Sequence, residues 1–352
     1  MSVKTNPGNY FEDFRVEMRI VHATPRTVTV GDVSLYTALY GCRSAVQSSD
    51  AFAQAIGLLR APLDDMLLFH VVFGKTVPDI SLNAVANLGY AAGRFHGFAY
   101  PGDTLNTVSE IIGLKENSNG KTGTVYVRSV GTNQHGETVL DYVRWVMVRK
   151  KDIGAAIPLP VVPELPKAVV ATDLVVSDRL DLSAYDTNLA GSDFLWDDYE
   201  VGEKIDHVDA MTIEESDHMI ATRLYQNTAK VHFNQHTEKD GRFGRRIVYG
   251  GHVISLARAL SFNGLANAFN IAAINGGRHM APIFAGDTVY AWSQVLEKHE
   301  LHGRSDLGAL RIRLVATKDQ ACTAYPYKDE DGKYDPSVVL DFDYTVLMPR
   351  KG

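Results

Sequence analysis

Cysteine is nearly absent: Cys42 and Cys322 are the only two in 352 residues. Two thiols so placed make no disulfide framework and suit a reducing compartment. Long apolar runs are also missing, and nothing approaches the 18 residues that would cross a bilayer as a helix. There is no excess of positive charge. Lys and Arg total 35 against 42 Asp and Glu, a formal net charge of −7, so a nucleic-acid surface is not expected. The opening residues, MSVKTNPGNYFEDF, lack the apolar stretch of a secretion signal. Together these absences lead to the expectation of a cytoplasmic protein that neither spans a membrane nor binds nucleic acid.

What the chain does have is 45% hydrophobic residues, enough for a large core and two domains of ordinary size. It also repeats itself. Residues 10–47 align without a gap on residues 195–232: His22 falls on His207, Thr27 on Thr212, Tyr40 on Tyr225. GRFHGFAYPGDTL (93–105) matches GRHMAPIFAGDTV (277–289), and LDYVRWVMVRK (140–150) resembles LDFDYTVLMPRK (340–351). The growing offset places an insertion in the second copy around TAYPYKDEDGKYDPS. The proline-rich IPLPVVPELPKA (157–168) can continue neither a helix nor a central strand and reads as an extended linker. The expected organisation is therefore a first domain at 1–156, a linker at 157–190 and a second domain at 191–352.

Both copies show the same coarse order. Helical pattern comes first (VSLYTALYG and AFAQAIGLL in one, EESDHMIATRLYQ in the other), followed by a longer apolar helix at about 65–80 and 251–267. Four alternating segments then read as strands separated by turn signals such as ENSNGKTG, NQHGE and DEDGKYD. This is an α+β pattern with a helix on one face of an antiparallel sheet.

The phrase YQNTAKVHFN (225–234) has a titratable His232 where the first copy has Gln47. The order of elements and three motifs together resemble the hot-dog fold of the MaoC-like hydratases. That family carries G-D-x-N-P-[IV]-H-x-D, then [IV]-x-H-G opening a central helix, then R-F-x-x-P-[VI]-x-x-G-D-T. His232 and Asn234 fit the first motif, Ile247, Tyr249 and Gly250 the second, and Arg278, Pro282, Ile283, Gly286, Asp287 and Thr288 the third. Asn227, Ala229 and Lys230 stand where the motif has Asp, Asn and Pro. The resemblance implies a double hot-dog, two antiparallel sheets each wrapping a helix and packed as an internal pseudo-dimer. It further implies an enoyl-CoA hydro-lyase with no cofactor, reversibly hydrating mesaconyl-CoA to β-methylmalyl-CoA. Its partner would be an acyl-CoA thioester, and homo-oligomers are common in such folds.

The residues carry that reading as follows. His232 is the expected base, because imidazole titrates near working pH. Asn227 either orients the water or caps a helix, since an amide cannot exchange protons at neutral pH. Gly250 and Gly251 would bare helix N–H groups to a developing enolate. Lys230 is the candidate reader of a substrate carboxylate. Tyr249, His252 and Arg278 are expected to line the substrate path. Glu238 and Asp50 are possible proton donors, and Cys42 and Gln47 would shape the acyl pocket. HFNQH (232–236) spaces two histidines like a zinc helix but lacks the glutamate and third ligand, so no metal is expected. Two alternatives stay open: an acyl-CoA thioesterase, and a non-catalytic acyl-CoA binding module.

Overall fold

The structure is a computed structural model that describes residues 4–156 and 159–351. The first two residues of the proline-rich segment, 157 and 158, and the extreme ends of the two expected domains lie outside the described residues.

Eleven strands form one sheet: β1 Arg19–Val21, β2 Arg26–Thr27, β3 Ala84–Phe95, β4 Thr104–Glu116, β5 Thr122–Thr132, β6 Thr138–Arg149, β7 Lys204–Thr212, β8 Asn270–His279, β9 Thr288–Leu301, β10 Arg304–Lys318 and β11 Val338–Pro349. Their order is β1-β4-β5-β6-β3-β8-β11-β10-β9-β7, with β2 also paired to β4. The second half of that order repeats the first in mirror sequence. Period-two burial explains why these segments are strands: along β4, Leu105, Thr107, Ser109 and Ile111 are buried.

Each half holds one central helix against the sheet. Asp65–Thr76 is apolar on nearly every side and wholly buried from Met66 onward, as a core helix must be. Its burial of Leu67, Phe69, Val71 and Val72 is worth about 1.5–3 kcal/mol per side chain. The second, Gly250–Leu260, buries Val253, Ile254 and Leu256. Both helices share a single core cluster.

The repeat seen in sequence becomes a pseudo-two-fold axis. Tyr40 and Tyr225 meet hydroxyl to hydroxyl at 2.8 Å, and His70 Nε2 lies 3.1 Å from Ser255 Oγ; both pairs are separated by 185 residues. A residue touches its own counterpart only on the axis. The corresponding strands β3 and β8 pair there, Tyr90 opposite Gly277 and Gly93 opposite Ile274. The two expected sheets are thereby joined edge to edge into one. Local contacts are duplicated too: His22 Nε2 lies 2.8 Å from Ser109 Oγ, as His207 Nε2 does from Ser293 Oγ. In both Gly-Asp-Thr turns the aspartate accepts a backbone N–H three residues back, from Tyr100 and from Phe284.

Residues 319–337 form the insertion, between β10 and β11. Tyr327 and Tyr334 there donate to the Asp341 carboxylate at 2.8 and 2.6 Å. The expected linker starts on the first half, where Val161 and Leu114 exchange backbone hydrogen bonds. It continues onto the second, where Val169 N donates to Asn275 Oδ1 at 2.9 Å and Leu180 and Leu182 join the cluster of Leu307 and Leu347. The short strands β1 and β2 and the strand β7 were not expected from the sequence.

Candidate active site

A cavity of about 330 Å³ opens between the halves. Asn227, His232, Tyr249, Gly250 and His279 line it from the second half, and Phe73, Asn87, Tyr90 and Arg144 from the first.

The helix Glu215–Leu224 ends in a Schellman turn, in which Gln226 N donates to Arg223 O and Asn227 N to Thr222 O, both at 3.0 Å. Gln226 takes the left-handed position (φ 53) usually held by glycine, and its side chain accepts from Lys75 Nζ at 2.6 Å. The turn lies against Gly74 of the first central helix, where a Cβ would collide with Tyr225 O. Close approach of the halves therefore sets the position of Asn227. The Asn227 side chain is buried and its Oδ1 accepts from Ala229 N at 3.0 Å. It follows the helix end as a turn residue, two positions beyond the C-cap Tyr225, and also lines the cavity.

Lys230–His232 forms one 3-10 turn. His232 Nδ1 donates to Ile247 O at 3.0 Å. A carbonyl can only accept, so the proton sits on Nδ1 and Nε2 keeps its lone pair. Burial, the largest cause, presses the His232 pKa down to about 4, partly offset by that hydrogen bond. The imidazole is therefore neutral at pH 7.

The helix Gly250–Leu260 begins at Tyr249 without a side-chain cap, so its first N–H groups stay open at the positive end of the dipole. A Cβ on Gly250 would collide with the His279 ring, and one on Gly251 with the rings of Tyr249 and His70. Glycine is required by these close approaches. The His232 and Tyr249 rings lie 5.5 Å apart, and Tyr249 Oη lies 3.3 Å from His70 Nδ1.

His279 was not singled out from the sequence. Among the described residues neither of its nitrogens has a hydrogen-bond partner, and burial, then the neighbouring His232, lowers its pKa to about 4. It pairs across the sheet with Leu340, as Phe95 pairs with Leu140; Arg278 pairs with Asp341, as Arg94 does with Asp141. The signal was available: the first copy keeps Arg94-Phe95, while the second reads Arg278-His279. Arg144 was also missed. It lies in the inward series Leu140, Tyr142, Arg144, Val146, Val148 of β6, a cation in a core register.

Several expected site residues lie elsewhere. Lys230 is exposed and does not line the cavity, because the 3-10 turn that faces His232 inward turns Lys230 to solvent. Arg278 is exposed for a register reason: neighbouring strand positions face opposite sides, and His279 takes the cavity side. His252 is buried on the helix and sits 2.9 Å from Tyr40 Oη through Nδ1, away from the lining. Gly251 opens the helix but lies behind the lining. Glu238 and Asp50 do not reach the cavity; Asp50 accepts from Ala61 N instead. Cys42 and Gln47 do not shape this cavity. They line a separate pocket of about 30 Å³ with Asp64, Asp65 and Arg258, the pseudo-symmetric counterpart of the large one.

Comparison with known proteins accords with this geometry. The family model described as MaoC like domain matches residues 198–314. The chain is 68% identical to the beta-methylmalyl-CoA dehydratase of Chloroflexus aurantiacus, with both sequences covered fully. It is 60% identical to the mesaconyl-CoA hydratase of Cereibacter sphaeroides, covering 99% of this chain and all of that protein. A crystal structure of a MaoC-domain dehydratase from Chloroflexus aurantiacus superposes with a TM-score of 0.98 at 68% identity over both full chains. A Mycobacterium tuberculosis protein with a double hotdog fold shares the fold at 24% identity and a TM-score of 0.76, covering 97% of this chain and 99% of its own.

Proposed function

This chain belongs to the MaoC-like family, and within it we propose that it is a hydro-lyase that reversibly hydrates mesaconyl-CoA to β-methylmalyl-CoA. Full-length identity to relatives named for that pair of activities supports the reaction class. The observation that carries the chemistry is the His232 tautomer: Nδ1 is committed to Ile247 O, and Nε2 is free beside an uncapped helix N-terminus.

Mesaconyl is a methyl-branched unsaturated group with a thioester at one end and a free carboxylate at the other. Hydration puts a hydroxyl on the β-carbon and a proton on the α-carbon. His232 Nε2 takes a proton from water as the oxygen attacks. The thioester oxygen, gaining charge, is held at the helix N-terminus by the N–H of Gly250, which lines the cavity. The resulting imidazolium is a strong acid, because burial holds its pKa at about 4, and it returns the proton to the α-carbon. His279, with both nitrogens unpaired among the described residues, and the Asn227 amide orient the water. Asn227 cannot exchange protons at neutral pH, so the second nitrogen base on this wall is His279. The chemistry calls for no cofactor beyond the CoA of the substrate.

The test is an absorbance assay of conjugated-thioester loss with mesaconyl-CoA and crotonyl-CoA side by side. Rapid loss with mesaconyl-CoA and little with crotonyl-CoA is expected. Loss with crotonyl-CoA alone would remove the mesaconyl assignment, and release of free thiol without hydration would put a thioesterase in its place.

A further inference from the structure

We infer that Arg144, supplied by the first half, is the residue that holds the free carboxylate of the acyl group; the inference rests on the dicarboxylic reading above and names its specificity determinant. Arg144 is wholly buried and lines the cavity. Its Nη2 donates to Thr76 Oγ1 at 2.8 Å and to Ser81 Oγ at 3.1 Å, and its Nη1 lies 3.5 Å from Asn87 Oδ1. Its Cζ sits 4.4 Å over the Phe73 ring. The Nε–H has no hydrogen-bond partner among the described residues.

No carboxylate lies within ion-pair distance of this guanidinium among the described residues, whereas the partly buried Arg311 and Arg94 are paired. Arg311 sits 2.7 Å from both Glu297 and Asp343, and Arg94 3.3 Å from Asp141. A buried charge without a counter-ion is strongly unfavourable. Burial lowers the Arg144 pKa, and the neighbouring phenols only partly offset this. The hydroxyl and amide dipoles around it reduce the penalty without neutralising the charge. An anion entering the cavity would neutralise it, with donors already fixed in place.

The pseudo-symmetry sharpens the assignment. By the match of LDYVRW to LDFDYT, the position equivalent to Arg144 is Tyr344, which is buried and uncharged. The small pocket has its own arginine, Arg258, which is bonded to Ser261 Oγ and Ala268 O, but an arginine at this strand position exists only beside the large cavity. Arg144 also stands on the half opposite His232, so a substrate with a thioester at the helix N-terminus and a carboxylate at Arg144 would be held at both ends. Proximity and orientation of the double bond follow from that two-point grip.

The experiment uses the full chain and the Arg144→Met and Arg144→Lys variants. Succinyl-CoA and butyryl-CoA, which differ only in the terminal carboxylate, serve as competitive inhibitors, and mesaconyl-CoA as substrate. Wild-type protein is expected to bind succinyl-CoA at least about tenfold more tightly than butyryl-CoA. In Arg144→Met that preference should vanish and kcat/KM for mesaconyl-CoA fall on the order of 10²–10³-fold, while butyryl-CoA affinity is kept, which also attests to the fold. Arg144→Lys should retain part of the preference. No wild-type preference for succinyl-CoA would overturn the inference without recourse to any variant. An equal loss of both inhibitors in the variants would also overturn it, by assigning Arg144 to the CoA phosphates or to the fold. If the wild type prefers succinyl-CoA yet leaves mesaconyl-CoA unchanged, the substrate reading fails while the carboxylate site stands.

Discussion

The two pseudo-symmetric pockets began as copies and now differ tenfold in volume, about 330 against 30 Å³. His232 corresponds to Gln47, Asn227 to Cys42, Gly250 to Asp65, and His279 to Phe95. In the small pocket Gln47 is spent on packing contacts, donating to Phe269 O at 2.6 Å and accepting from Ser44. The helix ends differ most in electrostatics. Asp64 caps the first helix by accepting Met66 N at 2.8 Å, and half-buried Asp65 follows, its pKa raised to about 8 by loss of solvent and then by Asp64. Such an end is closed to an enolate, whereas the Tyr249-Gly250-Gly251 end is open to one. On the proposed mechanism the duplication is a division of labour: the second half keeps proton transfer and the oxyanion site, and the first supplies walls and the buried arginine of the same cavity.

That contrast can be broken most sharply by exchanging one pair. His232→Gln, which installs the residue of the silent copy, should lower kcat for mesaconyl-CoA by about 10³–10⁴-fold. Gln47→Ala should change it by less than about twofold. Comparable losses in steady-state assays of both variants would refute the asymmetry.

His279→Phe installs the residue of the equivalent first-half position. It should cost about 10–10²-fold in kcat with little change in KM, as expected for loss of a group acting on water rather than on binding. The pH profile sharpens the same point. Both His232 and His279 are held near pKa 4 by burial, and only the neutral imidazole can act as base. kcat/KM should therefore stay high as pH falls through 6.5 and decline as it approaches about 4. An acid limb centred on 6.5 would contradict the burial argument.

A smaller, purely structural effect concerns the seam between the halves. Gly74→Ala places a methyl against Tyr225 O and should destabilise the protein by about 2–3 kcal/mol, measured by urea unfolding. An unchanged midpoint would mean that the seam tolerates separation.

Much of this architecture is legible in the sequence because it is written in period. The eight long strands and both central helices follow apolar alternation or apolar runs, and the Gly-Asp-Thr turns mark strand entries. The edge strands β1, β2 and β7 escape because their residues are mostly exposed and leave no alternation to detect. His232 is legible through its motif and the contrast with Gln47. Lys230 misled because sequence proximity to His232 says nothing about which side of a 3-10 turn a side chain takes. Arg144 lies 88 positions from His232 and joins the cavity only when the halves dock, so no local pattern announces its role. His279 could have been found by comparing the copies at Phe95, because a polar replacement in a core register needs a reason.

The most direct measurement of the central claim is the stoichiometry of a saturated, unreactive thioester, butyryl-CoA, titrated calorimetrically into the full chain. One equivalent per chain is expected, because only the larger pocket can admit an acyl group. Two equivalents would show that the small pocket still accepts acyl groups and would contradict the division of labour between the halves.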